Sequence, residues 1–321
     1  MIEKLVLIVA ILLSQLNIIS EDQSKIVFWN QFAGEKMVNQ RSDLQKGNWF
    51  YSDNTNVYRR VLQPTPRKIK GVSDFNVKAK SAIVLDAKTG AVLYSKNSDE
   101  DLPIASLTKI MTALVILDNV DLNAEVIISR NAFNTGGSKN GLAVGEKISV
   151  ENLLRVMLVN SNNIAAVALA EHTSGSADNF SVLMNEKANL IGLENTEFFN
   201  PSGLDGKENN NISTAYEMAR LVDYALEKPL IWEILRIQKI TVASINGKIE
   251  HRLKNTNLLL GKLKNIVGGK TGLTNDAGQC LILIIGDPKN NHRIISVVLN
   301  AEDRFSETEK LVKWIFKSYL W

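Results

Sequence analysis

The 321-residue chain carries 37 Lys and Arg against 34 Asp and Glu, a formal net charge of +3, with 45% hydrophobic and 22% charged residues. These are the proportions of an ordinary globular protein, long enough for one large domain with an appendage. So small and scattered a positive excess, with no basic block interleaved with aromatics, sets nucleic-acid binding aside.

Residues 1–20 open with Glu3-Lys4 and then run Leu5-Val6-Leu7-Ile8-Val9-Ala10-Ile11-Leu12-Leu13, interrupted later by Gln15 and Asn17. An apolar run of this length is that of a signal peptide and is short for a membrane-spanning helix, so export to the periplasm or cell envelope is expected. Ser20 is the one suitable small residue and Ile18 fills the −3 position, which leaves an uncleaved N-terminal anchor, and membrane contact through it, as the alternative. Residues 21–79 read as a basic spacer: residues 21–80 hold 11 Lys/Arg and 6 Asp/Glu, include Pro64 and Pro66, and show no sustained period. Its clusters Phe28-Trp29 and Trp49-Phe50-Tyr51 need an apolar partner, on the main domain, a membrane surface or another molecule.

From residue 80 to 321 the pattern is that of one domain. Ala82–Asp86 and Ala91–Tyr94 flank a turn at Gly90 and predict a hairpin. A helix is predicted from near Ser106, with Ile110, Met111, Leu114 and Leu117 on one face. Further helices are expected at Val150–Leu158, Asn163–His172, Ala177–Ile191 and Ala215–Leu226, the last with a capping box of Thr214 and Glu217. Strands return around the turn Asn246-Gly247, from Gly278 and over Arg293–Leu299. A closing amphipathic helix through Leu311, Val312, Ile315 and Phe316 is expected behind a second capping box of Ser306 and Glu309. Strands at both ends of the domain and helices between them predict one antiparallel sheet flanked by helices, an α/β (α+β) fold, with the helix-rich middle as a lobe over it.

Three short motifs carry chemistry. Ser106-Leu107-Thr108-Lys109 puts a hydroxyl and an amine one turn apart on a helix start, where the lysine can take the serine's proton. Such a base must be neutral part of the time, which needs burial or nearby positive charge. Lys270, in Lys270-Thr271-Gly272, can supply that charge and attract an anionic group, and Gly268-Gly269 and Gly272 imply that a substrate backbone passes close to the strand. Ser161-Asn162-Asn163 opens an apolar helix, with Ser161 as N-cap in its plainest reading. His172, His251 and His292 are isolated, and no spacing of His, Cys, Asp or Glu points to a metal site or a triad; no metal and no cofactor is expected. Cys280 is the single cysteine, so no internal disulfide can form, and its neighbours Leu281, Ile282 and Leu283 predict a buried thiol.

In this order the three motifs resemble the penicillin-recognising serine acyl-transferases. Residues 80–321 as a whole resemble the low-molecular-mass penicillin-binding proteins that act as D-alanyl-D-alanine carboxypeptidases. The likeness extends over Ala82–Asp86, Pro103–Lys109, Ala168–His172, Asn200-Pro201-Ser202-Gly203-Leu204-Asp205 and Asn255-Thr256-Asn257-Leu258-Leu259. It implies a serine β-lactamase/penicillin-binding-protein-like fold and removal of the terminal D-alanine of peptidoglycan stem peptides through an acyl-enzyme on Ser106, with β-lactam antibiotics acylating the same serine. It implies Lys109 as general base, Ser161 as proton shuttle, Asn163 as a ligand of a substrate carbonyl, and the backbone N–H groups of Ser106 and Leu273 as the oxyanion site. Lys270, Thr271 and Arg304 would clamp the terminal carboxylate, with Gly272 in the same strand. Asn162 stands where relatives often have glycine, and the sequence ends on the closing helix, so any attachment to the membrane is expected from the N-terminus. Three other readings stay open: a D,D-endopeptidase cutting cross-links, a class A-like β-lactamase with Glu197 activating water, and an inactive wall-binding module.

Overall fold

Apolar runs from the two ends of the chain meet in one antiparallel sheet, as the element order requires. The structure is a computed structural model and describes residues 65–136, 141–206, 209–287 and 292–321; the segment 1–20 and the clusters Phe28-Trp29 and Trp49-Phe50-Tyr51 lie outside them. The described residues all fall in one compact unit. It begins with β1 (Arg67–Lys68), β2 (Ala79–Asp86), β3 (Val92–Lys96) and β4 (Leu102–Pro103), then a 3-10 turn (Ala105–Thr108) and helix α1 (Lys109–Asn119). The lobe follows: β5 (Glu125–Ile127), α2 (Arg130–Phe133), β6 (Lys147–Ser149), α3 (Val150–Val159), α4 (Asn163–Ser174), α5 (Ala177–Ile191), β7 (Ile212–Ser213), α6 (Ala215–Ala225) and α7 (Pro229–Leu235). The hairpin β8 (Lys239–Ala243) and β9 (Glu250–Lys254) leads to β10 (Ile266–Thr274), β11 (Gly278–Gly286), β12 (Arg293–Ala301), α8 (Arg304–Ser318) and β13 (Tyr319–Leu320).

The main sheet runs β10-β11-β12-β2-β3, all antiparallel, so β10 lies at one edge. Its central strands are buried on both faces, which is why β2, β11 and β12 read as nearly unbroken apolar runs rather than alternating ones. On one face Val84, Leu281, Leu283, Ile294 and Val298 pack with Leu311, Val312 and Ile315 of α8. Burying each such side chain contributes about 1.5–3 kcal/mol. The other face carries α6, which packs on β12 and β2.

Three local expectations are corrected. The helix at Ser106 does not start as an α-helix: its first turn is 3-10, and the α-helical part begins at Lys109. Thr214 caps α6 by accepting the Glu217 N–H at 3.0 Å, but the Glu217 carboxylate does not return the bond; it accepts from Asn195 and from Thr196 Oγ1, at 2.6 Å for the latter, and so fixes the neighbouring turn. The closing helix is capped by Asp303, which accepts from Phe305 and Ser306 N–H; Ser306 is already helical and Glu309 pairs with Lys313 at 2.6 Å. An aspartate three residues earlier won because its side chain reaches two free N–H groups at once.

The folded unit also starts earlier than residue 80. β1 pairs with β13, the Ile69 N–H donates to Ser318 O at 2.8 Å, and the Lys78 N–H donates to Glu307 Oε2 at 2.7 Å. Phe75 stacks on Trp314 with ring centroids 6.0 Å apart, and the Trp314 indole donates to Ser73 O. Among the described residues no helix is long and apolar enough to cross a membrane.

Candidate active site

The site forms where the 3-10 turn, the N-terminus of α4 and the edge strand β10 converge. Ala105, the residue before Ser106, has φ +47°, a left-handed conformation that a non-glycine residue adopts only when its surroundings hold it there. Two contacts do so. Thr108 Oγ1 donates to Ala105 O at 2.7 Å, and Gly203, at φ +75°, lies so close that a Cβ there would stand 1.9 Å from Ala105 O. No other residue fits at 203.

Helical spacing brings Lys109 under Ser106, with Nζ to Oγ at 2.8 Å. Lys109 is fully buried, and Nζ also donates to Asn163 Oδ1 at 2.7 Å and to the Ser202 carbonyl at 2.5 Å. Burial first, and the Lys270 charge second, hold its amine well below the usual lysine range. Asn163, the first residue of α4, anchors its other end by donating from Nδ2 to Gly136 O at 3.1 Å.

Lys270 is 1% exposed. Its Nζ donates to Ser161 Oγ and to Thr271 O, both at 2.8 Å, and burial, followed by the Arg304 charge, pushes it down to about 7. Ser161 is not the N-cap of α4; Asn162 is, accepting from the Ala165 N–H at 2.9 Å, which leaves Ser161 at φ +58° with its hydroxyl on Lys270. Thr271 is buried, with Oγ1 2.5 Å from Thr256 Oγ1.

The glycines of β10 serve the fold more than a passing substrate. A Cβ at Gly268 would press on Trp232 of α7, one at Gly269 on Ile282 O and Asn257, and one at Gly272 would stand 3.0 Å from Ile104 O and 3.1 Å from Ala105 Cβ. Gly272 thus lets β10 dock against the turn that carries Ser106, and its carbonyl accepts from Arg304 Nη1 at 2.6 Å. Leu273, the next residue, exposes 61% of its surface on this edge strand. Arg304, half-buried at the first position of α8, therefore reaches the strand backbone between Thr271 and Leu273.

Sequence reasoning missed the residues that shape the approach to Lys109. Asn200 Oδ1 accepts from Ser202 N, Ser202 Oγ and Gly203 N, forming the turn that presents the Ser202 carbonyl. Asn211, 2% exposed, accepts from Phe199 and Asn200 N–H and donates to Thr108 Oγ1, joining that turn to the Ser106 turn. The signal was the Asn200-Pro201-Ser202-Gly203 turn, but a carbonyl's partner leaves no mark in sequence.

The remaining candidates lie elsewhere. Glu197 is exposed and its backbone bridges Ile212. His251 is buried against Glu146 at 2.6 Å, and His292 stacks on Trp321. Cys280 is buried opposite Gly272 in the β10–β11 ladder, and burial pushes its thiol up to about 11. A surface cavity lined by Trp232, Arg236, Ile266 and Arg293 opens at the far end of β10 and includes none of the motif residues. Among the described residues no group of His, Cys, Asp or Glu is arranged to hold a metal ion.

The fold is that of the penicillin-binding proteins. A D-alanyl-D-alanine carboxypeptidase from Mycobacterium tuberculosis H37Rv superposes with a TM-score of 0.72 at 28% identity, covering 78% of this chain and 96% of that one. The chain belongs to the D-alanyl-D-alanine carboxypeptidase family of serine peptidases (S11), whose profile matches residues 68–303. It is 36% identical over 268 residues to the D-alanyl-D-alanine carboxypeptidase DacF of Bacillus subtilis (strain 168), covering 78% of this chain and 65% of that protein. It is also 36% identical over 242 residues to a D-alanyl-D-alanine endopeptidase of Pseudomonas aeruginosa, covering 73% of this chain and 76% of that one.

Proposed function

We propose that the chain is a serine-type D-alanyl-D-alanine carboxypeptidase of the cell envelope, removing the terminal D-alanine of peptidoglycan stem peptides, with β-lactams as covalent inhibitors. The observation that carries this reading is the coordination of Lys109. A neutral amine has two N–H donors and one lone pair. Asn163 Oδ1 and the Ser202 carbonyl can only accept, so they take both donors, and the lone pair is left for the Ser106 hydroxyl. That is the arrangement of a general base.

In this mechanism Lys109 takes the Ser106 proton as Oγ attacks the carbonyl of the penultimate D-alanine. The N–H groups of Ser106 and Leu273 hold the oxyanion, a donor pair whose members are each worth about 10²–10³ in rate. Ser161 passes its proton to the departing D-alanine amine and takes a replacement from Lys270; in the hydrolysis that follows, the attacking water gives its proton to Lys270 and Lys109 returns its own to Ser106 Oγ as the ester breaks. Asn163 orients Lys109 and the substrate amide, and Lys270, Thr271 and Arg304 receive the terminal carboxylate at the level of Gly272. Residues 1–20 serve as the export signal or as an N-terminal anchor in contact with the membrane, and residues between them and the folded unit as a spacer.

The pH dependence has two limbs. Acylation rises as Lys109 loses its proton. Above pH 7, Lys270 loses its charge as well, so KM for a carboxylate-bearing peptide rises there. A second reading, cleavage of D,D-cross-links by the same residues, is favoured by the likeness to the endopeptidase. Incubating the protein with a pentapeptide and with a cross-linked muropeptide, and weighing the products, separates the two. Release of D-alanine that vanishes in Ser106→Ala is the result expected; no release, or fast penicillin turnover without a persistent acyl-enzyme, overturns the main reading.

A further inference from the structure

One polar side chain outside the mechanism above reaches the Lys270-Thr271-Gly272 strand. Thr256, in the segment that links β9 to β10, holds its Oγ1 2.5 Å from Thr271 Oγ1. The segment is built to hold it. Asn255 Nδ2 donates to the carbonyls of Leu235 at 3.1 Å and Ile237 at 2.8 Å, and its Oδ1 accepts the Asn257 N–H at 2.8 Å. Asn257 Oδ1 accepts the Leu259 N–H at 3.0 Å, while the Thr256 N–H itself reaches Val159 O at 3.3 Å. Both asparagines are buried, and a Cβ at Gly269 would approach Asn257 Nδ2 to 2.8 Å, so the tripeptide is pressed against β10. Only the middle residue, half-buried Thr256, turns a hydroxyl to the motif.

Hydroxyl pairs have a direction. Two hydroxyls in contact spend one proton on each other and keep one to donate outward. An ionised carboxylate only accepts, and a hydrogen bond to it is stronger than one between neutral groups. A threonine hydroxyl free to rotate gains less from such a ligand than one whose lone pair is already occupied by a fixed donor. We propose that Thr256 is a positioning residue that sets specificity: by donating to Thr271 Oγ1 it commits the Thr271 proton to the terminal carboxylate of the substrate. This rests on the carboxypeptidase reading and adds to it the residue that distinguishes a free acid from a neutral end.

The experiment uses the full chain as wild type, Thr256→Val, which keeps the shape and removes the hydroxyl, and Thr256→Ser, which restores it. Each hydrolyses a peptide ending in D-alanyl-D-alanine, with the same peptide ending in carboxamide as competing inhibitor, and each is melted thermally to show that it is folded. Thr256→Val is expected to raise KM for the acid about tenfold, with kcat within twofold and the inhibition constant of the carboxamide unchanged; Thr256→Ser returns KM to near the wild-type value. Equal weakening of acid and carboxamide, or no change for the acid, overturns the proposal and leaves Thr256 as a tether of its loop. Failure of the wild type to cleave the acid overturns the functional reading and the proposal together.

Discussion

Where α8 meets the sheet, Val84, Leu281, Leu283, Ile294, Leu311 and Ile315 are buried with apolar neighbours. Where α1 and α4 meet β10, the buried residues are Lys109, Asn163, Asn211 and Lys270. Both regions exclude water, but they are held together differently. The first is non-directional: any side chain of the right volume contributes, and the cost of an error is a cavity. In the second, every buried polar group needs a named partner, the backbones of Ala105 and Ser161 are held at positive φ, and burial lowers both lysines, with the Lys270 charge acting on Lys109 and the Arg304 charge on Lys270. The sheet layer supplies the stability that keeps the polar junction assembled, and the junction holds buried amines that an apolar layer cannot.

Substitutions that fall on one side of this division should leave the other intact. Lys109→Ala is expected to cut penicillin labelling of Ser106 about a thousandfold at neutral pH while the melting temperature stays the same or rises, since a buried amine has been removed; full labelling would detach the lysine from the chemistry. Leu283→Ala, in the sheet core, is expected to lose about 2–5 kcal/mol in urea unfolding while the folded protein still labels at the wild-type rate.

A pH titration of stability sharpens the contrast further. Lys270 titrates near 7 when folded against 10.5 when unfolded, so between these values the unfolded chain binds more protons. Its contribution therefore rises with pH across that window, by up to about 1.4 kcal/mol per unit, and falls away toward pH 7. Lys270→Met should flatten that part of the profile; an unchanged slope would assign it elsewhere. The smallest effect belongs to Asp303→Ala, expected to cost about 1 kcal/mol through the lost cap of α8, with labelling preserved.

Much of the sheet region was legible in the sequence, because the apolar runs at Ala82–Asp86, from Gly278 and over Arg293–Leu299, the apolar period of α8 and the turn at Gly90 are local signals of a non-directional core. The motif residues were legible as well, by type and order, since Ser106 and Lys109 share a helical face at fixed spacing. Their partners were not. The Ser202 carbonyl, Asn211 and Thr256 come from segments far along the chain, and their role depends on which atom a turn presents. The glycines of β10 misled for the same reason: a missing side chain signals close approach without saying by what, and here the neighbours are Trp232, Asn257 and Ala105. The capping boxes at Thr214 and Ser306 failed because a carboxylate near a helix start takes the best donors within reach, which for Glu217 lie in another turn.

The position of the single thiol gives the protein a built-in clock. Cys280 pairs with Gly272 in the β10–β11 ladder, sealed from solvent and slow to ionise, so an alkylating reagent can reach it only while the structure around that pair opens. The rate of its modification therefore times the opening of the structure beside the strand that carries Lys270 and Thr271, and occupancy of Ser106 by a covalent inhibitor should slow it.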